Sequence, residues 1–127
     1  MQVTVVGAGV VGLATSLVLE ERGHDVRIVA AAGADATVSS VAGAVWSPYR
    51  AGPPDRVAAW AARTRVWLEE LAAVPAAGVD MLACFEIPTG DDPAPPIPWW
   101  APGLDIARAP APIPGGPLAW RYRAPRA

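Results

Sequence analysis

Residues 3–17, VTVVGAGVVGLATSL, set Gly7, Gly9 and Gly12 in a G-x-G-x-x-G pattern, and no other stretch of the chain restricts its fold as much. The β-branched run 2–6 before the pattern predicts a short buried strand. After it, Val10, Leu13, Ala14, Leu17 and Val18 recur at helical spacing over 10–22, and Gly23 is a natural helix stop. Past a Gly-His-Asp turn, residues 26–30 predict a second buried strand. Strand, helix and strand in this compass make a βαβ unit, whose strands run parallel. Val3, Val5, Ile28 and Val29 are expected to be buried against Leu13 and Leu17.

The three glycines have separate physical roles. Gly7 permits a tight turn, Gly9 lets a pyrophosphate approach the backbone, and Gly12 allows close packing of helix on strand. The helix behind them offers free N–H groups and the positive end of its dipole. A dinucleotide uses all of these together; a glycine-rich turn in some other βαβ fold is the alternative. An acid that holds the ribose hydroxyls is expected at the end of the second strand, but Ala30 and Ala31 stand there. Asp25 precedes that strand and Asp35 lies several residues past it. Losing a charge-assisted hydrogen bond of this kind costs about 1.5–3 kcal/mol, which weakens a nucleotide site without abolishing it.

The remainder of the chain is bounded mostly by composition. A length of 127 residues fits one small domain or a piece of a larger one. With 53% hydrophobic and 17% charged residues it can build a core, so disorder is not expected at its front. A formal net charge of -2 leaves no electrostatic footprint for nucleic acid and no polybasic membrane patch. The single cysteine, Cys84, has no partner for an internal disulfide and no ligand cluster around it, and reads as a small buried hydrophobe. The apolar run 3–19 lacks a basic leader region, is broken by glycines and ends in Glu20, Glu21 and Arg22, so it reads as neither signal peptide nor membrane span. A cytoplasmic chain is the expectation. His24 lies in a polar turn and is rejected as a catalytic base.

Residues 31–54 show no sustained period and predict a long loop, of the kind that carries function in compact domains. A second helix is predicted over 55–74, with Val57, Trp60, Ala61, Thr64, Trp67, Leu68 and Leu71 on one face. VDMLACFEI, 79–87, predicts a strand. Every proline except Pro48, Pro53, Pro54 and Pro75 lies after Ile87, which predicts an extended surface loop. Near the end, LAWRYRA sets Trp120 and Tyr122 against Arg121 and Arg123, as an edge strand would.

Inside the long loop, SSVAGAVWSPYR, 39–50, is the second informative stretch. Two hydroxyls precede a small-residue run whose backbone can lie flat against a large planar ligand. Hydroxyls beside phosphates and bare amides beside a heterocycle suit a flavin site; an Ala/Ser loop with an aromatic anchor is the alternative. Taken with VVGAGVVGLAT, the Trp-rich helix and the closing WRYRAP, the order and spacing resemble those of D-amino-acid oxidases, an FAD-dependent family. The resemblance runs over essentially the whole chain, strongest at 3–29 and 39–50 and weakest in the Pro-rich segment.

That resemblance implies an α/β fold: a Rossmann-like FAD/NAD(P)-binding βαβ domain, incomplete, over 1–78, followed over 79–127 by the first strands of a substrate domain with its Pro-rich loop. It implies FAD as cofactor. Gly7, Ala8, Gly9, Val10, Val11 and Gly12 would hold the pyrophosphate. Thr37, Val38 and Ser39 match the family's hydroxyl-rich loop, and Gly43, Ala44 and Val45 match the backbone beside the isoalloxazine. Val38 replaces the usual threonine, and Ala31 stands where family members carry the acid. The family's reaction is oxidative deamination of D-amino acids to 2-oxo acids, ammonia and H2O2, with hydride passing from the substrate α-carbon to the flavin and O2 reoxidising it. Family members are much longer, and their substrate-binding tyrosine and arginine match nothing here, including Tyr49, Tyr122 and Arg121. The chain is therefore expected to be an N-terminal fragment without catalytic residues and inactive alone. A glycine- or sarcosine-oxidase-like amine oxidase shares the glycine loop, although VAGAVWSPY favours the first family. A non-catalytic remnant or interaction module is the reading from a different class.

Overall fold

Strand β1 (Gln2–Val6) and strand β2 (Asp25–Val29) pair in parallel, with Gln2 opposite Asp25 and Val6 opposite Val29, and helix α1 (Val10–Glu21) connects them. The computed structural model describes residues 1–48, 50–87 and 96–127. Helix α1 ends as its sequence predicts. Gly23 takes φ +79°, its N–H donates to the Glu20 carbonyl, and the His24 N–H donates back to Leu19. This is the Schellman arrangement, which satisfies carbonyls that a helix end would otherwise leave open.

The expected burial is not reached. Val3 and Val5 are half-buried, but Leu13, Leu17, Ile28 and Val29 keep 40 to 44% of their surface exposed. One helix across two strands covers only part of one sheet face, and among the described residues no third strand pairs with either. Nor is 31–54 an unbroken loop: it holds a 3-10 turn, Ala34–Ala36, and the single-turn helix α2 (Val38–Val41). Both are fixed by local side-chain bonds. The Thr37 hydroxyl donates to the Ala34 carbonyl at 2.8 Å, and the Ser40 hydroxyl shares its one proton between the carbonyls of Asp35 and Thr37, at 2.8 and 2.7 Å.

Close contacts divide the chain into two units, Met1–Gly43 and Ala44–Ala127. In the second unit helix α3 (Pro54–Ala72) packs on strands β3 (Asp80–Glu86) and β5 (Leu118–Arg126). Pro54 in its first turn loses no helical bond, and Asp55 meets the positive end of the dipole. The face turned inward is the expected one only in part: Val57, Ala61, Leu68 and Leu71 lie on it, but Trp60, Thr64 and Trp67 do not. Val57, Ala58, Ala61, Arg65 and Leu68 are half-buried, whereas Trp60 and Trp67 are 61% and 41% exposed. The alanines let the helix lie close to its neighbours, so it turns that stripe inward in place of the two indoles.

Strand β4 (Ala107–Pro110) was not foreseen within the Pro-rich stretch. It pairs antiparallel with β5, and so does β3, giving the order β3-β5-β4. β5 is therefore the central strand, not the expected edge. Its buried Pro125 is tolerated because the Pro125 carbonyl accepts from the Trp46 N–H at 2.9 Å. In an alternating ladder the proline nitrogen faces that same side, so the bonds to β3 lose no donor. The core of this unit is Trp100, Ala101, Tyr122 and Ala124, with Trp46, Cys84, Leu104 and Ile106 packed against it. Tyr49 and residues 88–95 of the expected Pro-rich loop lie outside the described residues.

Candidate functional site: the glycine loop

The turn after β1 is built by its glycines. Gly7 takes φ +109°, and its N–H donates to the Val29 carbonyl at 2.8 Å, tying the turn to the end of β2. A Cβ at Gly12 would run into the Gly7 carbonyl oxygen, so only glycine lets the first turn of α1 rest on this turn. Gly9 is the N-cap residue with extended backbone, and its own side-chain position offers no cap. The first turn of α1 carries no acidic residue, so the positive end of the dipole is not neutralised from within the helix.

The missing cap comes from 29 residues further on. The Val10 N–H donates to the Ser39 Oγ at 3.2 Å, and a Cβ at Gly9 would lie 3.2 Å from that same oxygen. Gly7, Gly9, Val10, Gly12, Thr15 and Ser39 line an open cleft of about 370 Å³. Of the residues singled out from sequence, the structure thus brings Gly7, Gly9, Val10, Val11, Gly12 and Ser39 together around one helix end. Thr15 was missed, although it falls one turn beyond Gly12 and so shares its face. Thr37 instead stands at the N-cap position of α2 without a capping side-chain bond, its hydroxyl spent on Ala34, and Val38 is exposed.

Gly43, Ala44 and Val45 straddle the division between the units. Within the second unit, Ala44 and Ala127 exchange N–H···O bonds of 3.3 and 3.1 Å, and Val45 bridges Arg126. Alternation turns the Val45 amide away from β5, leaving it as the backbone donor of this segment that faces outward. At the end of β2 the departure from the acidic pattern persists: Ala30 and Ala31 are exposed there. Asp25 opens β2 at the far end from the glycine turn, within 3.4 Å of the Gln2 amide, and the Asp35 carboxylate lies over Gly33.

Two ionisable groups of the second unit are shifted by burial. Burial, and then the nearby Cys84 and Glu86, push the Tyr122 phenol up to about 12. Burial also raises the Cys84 thiol, against a backbone hydrogen bond at Ala124 that acts the other way. Trp46 donates its indole N–H to the Ala61 carbonyl at 2.9 Å, and its ring meets Trp100 edge-on. Among the described residues no group of three or more His, Cys, Asp or Glu side chains is placed to hold a metal, and no helix is long and apolar enough to cross a membrane.

In this mixed α/β chain the glycine turn thus sets a helix N-terminus, the positive end of a helix dipole, beside a serine hydroxyl. A family model described as FAD dependent oxidoreductase (DAO) matches residues 2–108, and the chain belongs to that family. It is 47% identical over 96 residues to a D-amino-acid oxidase of Rubrobacter xylanophilus, covering 76% of this chain and 29% of that one. It is 45% identical over 113 residues to a D-amino-acid oxidase of Streptomyces coelicolor, covering 85% of this chain and 34% of the other. The chain thus spans about a third of the length of these relatives.

Proposed function

We propose that the first unit is the beginning of a Rossmann-like domain and that its glycine loop holds the pyrophosphate of FAD. Residues 1–78 then belong to the FAD-binding domain and 79–127 open a substrate domain. The observation that carries this reading is the convergence of the Val10 amide and the Ser39 hydroxyl at a Gly9 with no side chain between them. A phosphate oxygen accepts from the Val10 N–H, and the Ser39 hydroxyl, released from that bond, donates to the same group. The residues present fit the cofactor in three respects: a helix end without an internal anion, a turn that only glycines allow, and an open cleft in front of both. The outward Val45 amide and the small side chains of Gly43 and Ala44 suit a planar heterocycle.

FAD, when bound, supplies the acceptor for the electrons that leave the α-carbon of a D-amino acid. This chain's residues bind and orient it, and none of them is assigned a role in moving a proton or holding the amino acid. The test is equilibrium binding of FAD and of ADP to Ser39→Ala, which removes one hydroxyl from the phosphate side. Weakening of both ligands by about tenfold, the worth of one hydrogen bond to a charged group, is expected. Unchanged affinity for both would place the phosphates elsewhere.

A further inference from the structure

Residues 44–46 run as a short segment against the end of β5. The Ala44–Ala127 pair and the Trp46 N–H, which donates to the Pro125 carbonyl at 2.9 Å, hold its backbone, with the Val45 amide turned outward between them. Pro125 has no N–H to return, so the second pairing carries one hydrogen bond where a regular ladder carries two. A ladder of three bonds, exposed along one side, opens easily unless something else ties it down. Trp46 supplies that tie. Its indole N–H donates to the Ala61 carbonyl of α3 at 2.9 Å, its ring lies 5.7 Å from the Arg65 guanidinium carbon, and Trp100 meets it edge-on with centroids 6.1 Å apart. Arg65 is itself held, by Glu69 at 2.8 Å.

The indole is not fixed by close packing alone. Beside it lies a cavity of about 210 Å³, lined also by Ala58, Ala62, Val66 and Leu104. An aromatic ring without the N–H would have room to shift into that space, and the backbone at 46 would shift with it. The directional bond to Ala61 therefore sets where the ring sits. The geometry points to Trp46 as a positioning residue for the flavin: by tying 44–46 to α3 as well as to β5, its indole fixes the aim of the Val45 N–H. This rests on the reading that 43–45 is the backbone beside the heterocycle, and adds the side chain that sets it. Trp46 acts through Val45, since its own ring is turned to α3 and Trp100. A hydrogen bond weakens steeply once its donor is misaligned. Loss of the tie is therefore felt by the planar ring of FAD and not by ADP, which has the phosphates and lacks that ring.

The experiment measures Kd for FAD and for ADP with the wild-type chain, Trp46→Phe, Arg65→Met and Ile106→Ala, and amide hydrogen exchange of each protein without ligand. Wild type is expected to bind FAD more tightly than ADP. Trp46→Phe, which keeps an aromatic ring and removes the N–H, is expected to weaken FAD by about fivefold to tenfold and to leave ADP within about twofold. Arg65→Met is expected to act in the same sense. Without ligand, the amides of Ala44, Trp46 or its replacement, and Ala127 are expected to exchange faster in Trp46→Phe, while those pairing β3 with β5 stay protected. Ile106→Ala trims the same core without altering the indole or its partners. It is expected to lower the denaturation midpoint and keep the FAD-to-ADP ratio of wild type. Unchanged exchange at 44, 46 and 127 in Trp46→Phe overturns the proposal, and so does a ratio that Ile106→Ala shifts as much as Trp46→Phe does. Wild type that binds FAD no more tightly than ADP overturns it too, while leaving the pyrophosphate reading of the glycine loop in place. Wild type that binds neither ligand overturns both.

Discussion

A side chain at position 12 has nowhere to go, because the first atom it adds meets the Gly7 carbonyl oxygen. Gly12→Ala must push α1 away from the turn, and overpacking of this kind costs about 1–3 kcal/mol. The midpoint of urea denaturation is expected to fall accordingly, and FAD binding to weaken with it; an unchanged midpoint would mean that α1 does not rest on the turn as described. Position 31 is the opposite case, an exposed alanine where a ribose-holding acid would sit. On the proposed reading Ala31→Glu supplies the absent acceptor. FAD affinity is expected to rise by about tenfold or more, the worth of a charge-assisted hydrogen bond. Isothermal titration of the two proteins measures the difference, and equal affinities would mean that the ribose does not reach the end of β2.

At the scale of elements, legibility followed the strength of local signals. The β1-α1-β2 unit could be read from sequence because glycine spacing, β-branched runs and the Gly23 stop agree with one another. The 3-10 turn and α2 could not, since elements of three and four residues are too short to show a period. β5 was legible as a strand but not as the central one. Its neighbour β4 lies in a stretch whose prolines argue against a central strand, and the alternation of Trp120 and Tyr122 with Arg121 and Arg123 reads as an edge. What reversed this is pairing: β4 is short, and Pro125 faces Trp46, not β3. The inward face of α3 was legible at Val57, Ala61, Leu68 and Leu71 but not at Trp60 and Trp67, because indoles outweigh alanines in any apolar count. For the site, the glycines and Ser39 were legible as residue types at spacings, whereas their convergence at Val10 depends on how 31–38 folds back.

Tyr122 of β5 contributes to the alkaline pH dependence of the second unit. The Tyr122 phenol stands at about 12 in the fold against its ordinary 10, and it is a buried core residue. Its folded value is raised, so its contribution is fully present below pH 10 and is lost as pH climbs from 10 through about 12. The loss amounts to about 2–3 kcal/mol. Unfolding followed by tryptophan fluorescence is expected to show stability dropping across that window, with a shallower drop in Tyr122→Phe. Equal slopes for the two proteins would contradict the burial of the phenol.

For the whole molecule the question is what 127 residues of this family can do alone. They span about a third of the relatives' length, and no residue among them is assigned to the amino-acid substrate. Oxidation requires the α-carbon held against the flavin in near-attack geometry, where a displacement of about 1 Å already costs about a hundredfold. A peroxide-coupled assay with excess FAD and neutral D-amino acids measures whether this chain alone reaches that geometry. Stereoselective peroxide production above the free-flavin blank would show that the chain holds its own substrate site. The central claim, that the glycine loop is a flavin pyrophosphate site, is tested most directly by titrating FAD with the wild-type chain and with Gly9→Val, following flavin fluorescence. Position 9 is where the cradle is open, so a valine there fills the approach to the Val10 amide and crowds Ser39. Saturable quenching by the wild-type chain, reduced at least tenfold in affinity by Gly9→Val, is the expected result. Absence of binding by the wild-type chain, or binding that Gly9→Val leaves unchanged, would contradict it.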